Sequence, residues 1–175
     1  MSVEKHVLSN GATVLLDPMP SAERAALGYF FRVGSRFETK KENGLAHFLE
    51  HMAFKGTHSR DVFSLLEEMD DLGANSNAFT AQESTCYYMS GDANDIFKFN
   101  ELVSDISINM ALPKNELEIE RGTILEEILR YADDPGAVLR EIASAAAFPD
   151  QPLGRTTLGP SKNIEKFSHK MFEKF

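Results

Sequence analysis

The chain is nearly devoid of cysteine, with only Cys86 among its 175 residues. One thiol cannot close an internal disulfide, so the fold has to rest on its packed core, and a reducing compartment or a disulfide-independent fold is implied. Cys86 itself is expected to be a small buried hydrophobe. A dense run of lysine and arginine is also missing, and the net charge is −9. A nucleic-acid partner demands a basic surface that displaces phosphate counterions, and an anionic membrane surface demands much the same, so the charge argues against both. A basic peptide would be attracted. No apolar run reaches the length of a membrane-spanning helix, so membrane insertion is not expected. Residues 1–10 show neither the apolar stretch of a signal peptide nor the arginine pattern of a transit peptide. The cytoplasm is therefore the expected location, with the mitochondrial matrix as the alternative if a presequence has been removed. Internal repeats and low-complexity linkers are absent as well.

What remains has the composition of a globular protein, with enough residues for one domain and its core. Lys5–Leu8 and Ala12–Asp17 flank the turn Ser9-Asn10-Gly11 and read as a hairpin. The apolar run Ala25–Val33, ended by Gly34, reads as a central buried strand. Asn43 is the expected cap of a helix from Gly44 to about Lys55 that packs through Leu45, Phe48, Leu49 and Met52. Ser59 is the expected cap of the next helix, Arg60–Leu72, with Val62, Leu65, Leu66 and Met69 inward and the acidic cluster Glu67, Glu68, Asp70, Asp71 outward. Asn75–Thr80 and Ser84–Ser90 form a second hairpin. Helices then follow from Asp92 or Asn94 through Ile108, from Pro113 to about Ala132, and over roughly Ala137–Phe148. Lys162–Phe175 is amphipathic, with Ser161 as its cap. Strands, helices, two more strands and a run of helices describe an α+β layered domain and not a doubly wound parallel sheet.

The chemistry concentrates at His47, Glu50 and His51. Histidines four positions apart on a helix project from one face and can share one metal ion. Glu50 lies between them in angle, close enough to touch a metal-bound water without being a ligand. This is the H-x-x-E-H pattern, the inversion of the commoner H-E-x-x-H zinc-protease motif. Chance alone would produce it in roughly one or two of a hundred chains of this length. A catalytic zinc takes three protein ligands and leaves a position open, so one more ligand must come from elsewhere. The stretch Glu120–Glu127 is the richest source. Glu120 and Glu127 lie two turns apart on one side, and Glu126 points about a third of a turn away. Spacing does not choose among the three, and without the histidine motif they would read as a solvated acidic face.

The segment HFLEHMAFKGT (His47–Thr57) closely resembles the zinc motif of the pitrilysin/insulinase family of metallopeptidases, nearest to the branch of the mitochondrial processing peptidase β-subunit. GSRFE (Gly34–Glu38), NAFTAQESTCYY (Asn77–Tyr88), ERGTILEEI (Glu120–Ile128) and PLGRTTLGP (Pro152–Pro160) agree with it in order and spacing. The resemblance implies a mixed, largely antiparallel sheet packed against several helices, the LuxS/processing-peptidase-like metallopeptidase fold. It implies a single N-terminal catalytic domain over residues 1–175, C-terminally incomplete, lacking its last strands and the family's second half. It implies one Zn2+ per chain on His47, His51 and Glu127, with Glu50 as general base and Glu120 as a supporting carboxylate. It further implies an edge strand, Asn77-Ala78-Phe79-Thr80, that pairs with an extended peptide, and Phe54 at the pocket just past the scissile bond. Phe54 as plain core and Asn77 as a turn residue are the alternatives. The implied activity is zinc-dependent endopeptidase cleavage of extended peptides or presequences, with a second homologous half or subunit as partner. A noncatalytic scaffold or interaction subunit of the same fold, or an inactive fragment needing a partner half, is the alternative function.

Overall fold

At Asn10-Gly11 the chain reverses, because Gly11 takes a positive φ of 87° and the Asn10 side chain accepts from the Ala12 amide. Strands β1 (Glu4–Val7) and β2 (Thr13–Leu16) pair antiparallel across this turn as a two-stranded sheet, as the sequence predicts. The computed structural model describes residues 3–175.

The second sheet has the order β3 (Arg24–Phe31), β5 (Thr85–Asp92), β4 (Asn75–Thr80), all antiparallel. The central strand is therefore β5. The unbroken apolar run of β3 predicts burial on both faces, yet β3 lies at an edge and alternates between half-buried and exposed residues. Its inward residues Leu27, Tyr29 and Phe31 join the core, while Phe30 faces outward. On that outward face Phe30, Cys86 and Phe79 stand in register across three strands, and the two rings meet edge to face at 6.4 Å. Cys86 between them is only 1% exposed, which agrees with its reading as a buried hydrophobe, and burial pushes its thiol pKa up.

Seven helices complete the described residues: α1 (Leu45–Ala53), α2 (Val62–Asp71), α3 (Ile96–Ile108), α4 (Lys114–Ala132), α5 (Pro135–Ala147), α6 (Ser161–Ile164) and α7 (His169–Lys174). The core divides in two around α1. Ala53 joins Leu65 and Met69 of α2, Tyr87 and Met89 of β5, and Phe99, Leu102, Val103 and Ile106 of α3. Leu45, Phe48 and Met52 join Leu117 and Ile124 of α4 with Ile164, Phe167 and Phe172 of the closing segment. Helix α1 is thus held from two sides, which leaves a third side for chemistry.

Several caps differ from those the sequence predicts. Asp61 caps α2 by accepting from the Ser64 amide, and Ser59 is drawn instead to Asp105 on α3. In α2 Leu66 is exposed, so the inward stripe is narrower than predicted. Asp134 caps α5, which starts with Pro135 at its first turn. The amphipathic C-terminal segment is two short helices, with Ser161 inside the first and Pro160 at its cap position. No described helix is long and apolar enough to cross a membrane.

Candidate metal centre

The N-terminus of α1 is set by residues distant in sequence. Gly44 sits at its cap position with φ of 102°, a conformation L side chains avoid, and a Cβ there would lie 2.6 Å from the carbonyl oxygen of Leu158. Asn43 is not the cap. The buried carboxylate of Glu38 takes that part: Oε2 accepts from the Gly44 amide (3.0 Å) and Oε1 from the Ala46 amide (2.7 Å). Asn43 braces it, donating to Glu38 Oε2 (3.0 Å) and to the Thr156 carbonyl (2.9 Å). Two amides otherwise left over at a helix start are thereby satisfied, and a negative group meets the positive end of the helix dipole. The blocks around Glu38 and Thr156 therefore serve to seat α1. A carboxylate six residues ahead of the cap position departs from the usual capping-box spacing, so sequence inspection does not find it.

One turn into α1, His47 is buried and His51 half-buried, their rings 4.6 Å apart. Helix α4 packs across them. Glu127 Oε2 lies 3.7 Å from His47 Nε2 and 3.4 Å from His51 Nε2, and one ligand atom from each of the three residues falls within 4.8 Å of the others. A tetrahedral zinc with bonds of about 2.0–2.1 Å has ligand edges of about 3.3–3.4 Å. The two distances from Glu127 lie close to such edges, and the donors are of the chemical type that such a site uses, two imidazole nitrogens and one carboxylate oxygen. Glu126, next in sequence and about a third of a turn round α4, is exposed.

The electrostatics around the three donors are uneven. Burial, aided by the neighbouring His51, pulls the His47 pKa down to about 4, so its ring is neutral and its Nε2 is a ready ligand. Its Nδ1 is buried without a hydrogen-bond partner among the described residues. Burial also works against the charged form of His51, but Glu120 and Glu127 outweigh it and raise its pKa to about 9. The two carboxylates thus both favour a positive charge on the His51 ring. Glu127 is held below the ordinary carboxylate range, first by its hydrogen bond with His51.

Glu120, 5% exposed, faces the other side of His51 with Oε1 2.8 Å from Nδ1. Its Oε2 is 2.6 Å from Nζ of Lys55. Burial pushes the Glu120 pKa up, and these two partners more than reverse it. Lys55 escapes a motif-based reading, although its position four residues after His51 is the signal that would place it on the same side of the helix.

Glu50 projects toward the sheet, where Thr80 at the end of β4 donates its hydroxyl to Oε2 at 2.5 Å. Burial raises the Glu50 pKa despite that bond. Strand β4 is an edge, as predicted, with Asn77 and Phe79 outward and Ala78 and Thr80 on the α1 side. The Asn77 side chain accepts from the Ala78 amide at 2.8 Å. Phe54, at the C-terminal end of α1, packs against the sheet-side core. His47, Glu50, His51, Glu120, Glu127 and Thr80 are therefore brought together. Phe54 and Asn77–Phe79 border them and make no direct hydrogen bond to the histidines.

The profile of the family described as "Insulinase (Peptidase family M16)" matches residues 13–161. A protein named uncharacterized zinc protease from Rickettsia bellii is 41% identical over 168 residues, which cover 96% of this chain and 41% of the relative. Mitochondrial-processing peptidase subunit beta of Lentinula edodes is 44% identical over 161 residues, covering 92% of this chain and 34% of the relative. Among solved structures, a protease from Helicobacter pylori superposes with a TM-score of 0.91 at 26% identity, over 99% of this chain and 42% of that one. A peptidase M16 inactive domain from Pseudomonas fluorescens shares the fold, with a TM-score of 0.89 at 17% identity. The chain spans about two fifths or less of the length of these relatives. A profile match over most of its length, on the same fold, makes this chain a member of the insulinase family of peptidases, family M16.

Proposed function

We propose that the chain is the catalytic half of a zinc-dependent endopeptidase acting on extended peptides or presequences, with one Zn2+ per chain held by His47, His51 and Glu127. The observation that carries this reading is the convergence of Nε2 of His47, Nε2 of His51 and Oε2 of Glu127, with the Glu50 carboxylate fixed beside them by Thr80. Bound zinc would supply a lowered pKa for water and a polarised scissile carbonyl. Glu50 acts as general base: Thr80 holds its Oε2, leaving Oε1 to take a proton from the attacking water and pass it to the departing amine. A carboxyl whose pKa is raised by burial is suited to both transfers. Glu120 orients the His51 ring through Nδ1.

Substrate binding follows from the free edge of β4. An extended peptide adds to that edge through backbone hydrogen bonds along Asn77–Thr80, replacing the local bond between Asn77 and Ala78. Phe54 then shapes the pocket on the leaving side. A second homologous half or subunit completes the enzyme. The exposed apolar residues Val7, Val14, Leu15 and Leu16 of the hairpin sheet support this. The inactive M16 domain from Pseudomonas fluorescens, which shares the fold, favours a second reading, in which these residues form a scaffold that cleaves nothing by itself.

Metal analysis paired with cleavage of a fluorogenic peptide separates the two, for the wild type and Glu50→Gln, with and without an added second half. The proposal expects stoichiometric zinc in both proteins and cleavage by the wild type only. Zinc binding with equal inactivity of the two, even with the second half present, would leave the scaffold reading standing.

A further inference from the structure

From the arrangement around Glu120 we infer that Lys55 is a positioning residue for the metal centre, acting through Glu120 on His51. The inference rests on the zinc reading above and extends it to a residue whose ammonium group meets Glu120 and not a metal ligand. Glu120 is a carboxylate with almost no solvent contact, and its two oxygens have one partner each: Oε1 meets His51 Nδ1 at 2.8 Å and Oε2 meets Lys55 Nζ at 2.6 Å. A buried carboxylate needs either a full set of donors, as Glu38 has, or a compensating charge, and Glu120 has only two partners. A histidine that ligates zinc is neutral, so in the loaded site His51 offers Glu120 a hydrogen bond and no formal charge. Among the described residues, the compensating cation in contact with Glu120 is then Lys55 alone. Without it, Glu120 Oε2 would lose its one partner and the carboxylate its anchor on that side, and His51 would lose the fixed acceptor that aims its Nε2 toward the cluster.

The placement of Lys55 is itself built. It follows the end of α1, its amide bonded to the Met52 carbonyl (3.1 Å), and precedes Gly56, whose φ of 103° turns the chain away. The next residues are tied down at once. The Gly56 carbonyl accepts from Ala111 (3.1 Å), the His58 amide donates to Asn109 (3.0 Å), and Thr57 Oγ1 donates to Asp105 (2.7 Å). Arg60 donates to the same Asp105 oxygen at 2.8 Å. A lysine on a free loop would average over many rotamers. This one starts from a backbone clamped on both sides, so its ammonium group is delivered to one oxygen of Glu120.

A merely structural ion pair between α1 and α4 would affect stability and leave metal affinity unchanged. Zinc dissociation constants by chelator competition therefore test the inference on the wild type, Lys55→Met, Lys55→Arg, Glu120→Gln and the Lys55→Met/Glu120→Gln double variant. Urea unfolding of the metal-free proteins verifies that each is folded. Lys55→Met is expected to weaken zinc about tenfold, the lower end of the range for groups that support a metal ligand. Lys55→Arg should stay within about threefold of the wild type, because it keeps the charge, and the double variant should be no weaker than Glu120→Gln alone. Unchanged zinc affinity in Lys55→Met, or additive losses in the double variant, overturns the role of Lys55 and leaves the metal site intact. A wild type that takes up no zinc overturns the metal reading and the inference together.

Discussion

Thr80, the last residue of edge strand β4, donates its hydroxyl to Oε2 of Glu50 on α1, and so ties the sheet to the helix at the centre of the site. The turn that follows is pinned in its own right, with Ser35 and Arg36 amides bonded to the carbonyls of Ala81 and Gln82 and a salt bridge between Arg36 and Glu83. A Cβ on Gly34 would approach the Ala81 carbonyl oxygen to 2.4 Å, so glycine is what lets these segments close. The carboxylate proposed as the base is thereby held by a strand, not left to choose its rotamer.

Replacing Thr80 by valine keeps the shape and removes the donor. A hydrogen bond to a charged group is worth about 1.5–3 kcal/mol, so kcat should fall about ten- to a hundredfold. Thr80→Ser should restore most of the loss. Steady-state kinetics on a fluorogenic peptide decide it, and a valine variant as fast as the wild type would remove Thr80 from the mechanism.

Glu127→Gln and Glu126→Gln make a matched pair on adjacent positions of α4. The first removes the carboxylate facing both histidines, the second an exposed side chain about a third of a turn away. Elemental analysis after exhaustive dialysis should find zinc lost from Glu127→Gln and retained at one per chain in Glu126→Gln. Retention in both would mean that another group completes the metal shell.

Asp105 gives a pH-dependent prediction away from the metal. Burial works to raise its pKa, but donors from Asn109, Thr57, Arg60 and Ser59 prevail and lower it from 3.8 to about 2. A carboxyl with a depressed folded-state pKa contributes stability that is fully present above the unfolded value and is lost as the pH falls through the folded one. The contribution is about 2 kcal/mol at neutral pH and should disappear between about pH 4 and pH 2. Unfolding free energies of the wild type and Asp105→Asn should therefore differ at pH 6 and converge toward pH 2. A gap independent of pH would assign the effect to packing.

Glu38→Ala strips the start of α1 of its acceptor and leaves the Gly44 and Ala46 amides and the Asn43 side chain short of a partner. A loss of about 3 kcal/mol is expected in urea unfolding, from the cost of leaving buried donors unsatisfied. Because α1 carries both histidines, zinc affinity should drop with it. Unchanged stability would mean that the helix start finds other partners.

Much of this protein is local and was legible as such. The hairpin at Asn10-Gly11, the pairing of Asn75–Thr80 with the strand after it, and the apolar spacing of α1 follow from turn chemistry and periodicity, which act over a few residues. Where the sequence misled, a distant group had intervened. Asn43 and Ser59 look like helix caps but bond to Glu38 and Asp105, and the long apolar run of β3 ends at a sheet edge because β5 takes the centre. The same division runs through the site. That His47, Glu50 and His51 share one side of a helix follows from their spacing in the sequence alone, because 3.6 residues per turn makes it so. The other partners of that face were decided by the tertiary structure: the packing of α4 across α1 brings up Glu127 and Glu120, the end of β4 brings Thr80, and a clamped loop brings Lys55. No periodicity within a single element can specify them, because each is set by how two elements are held against each other.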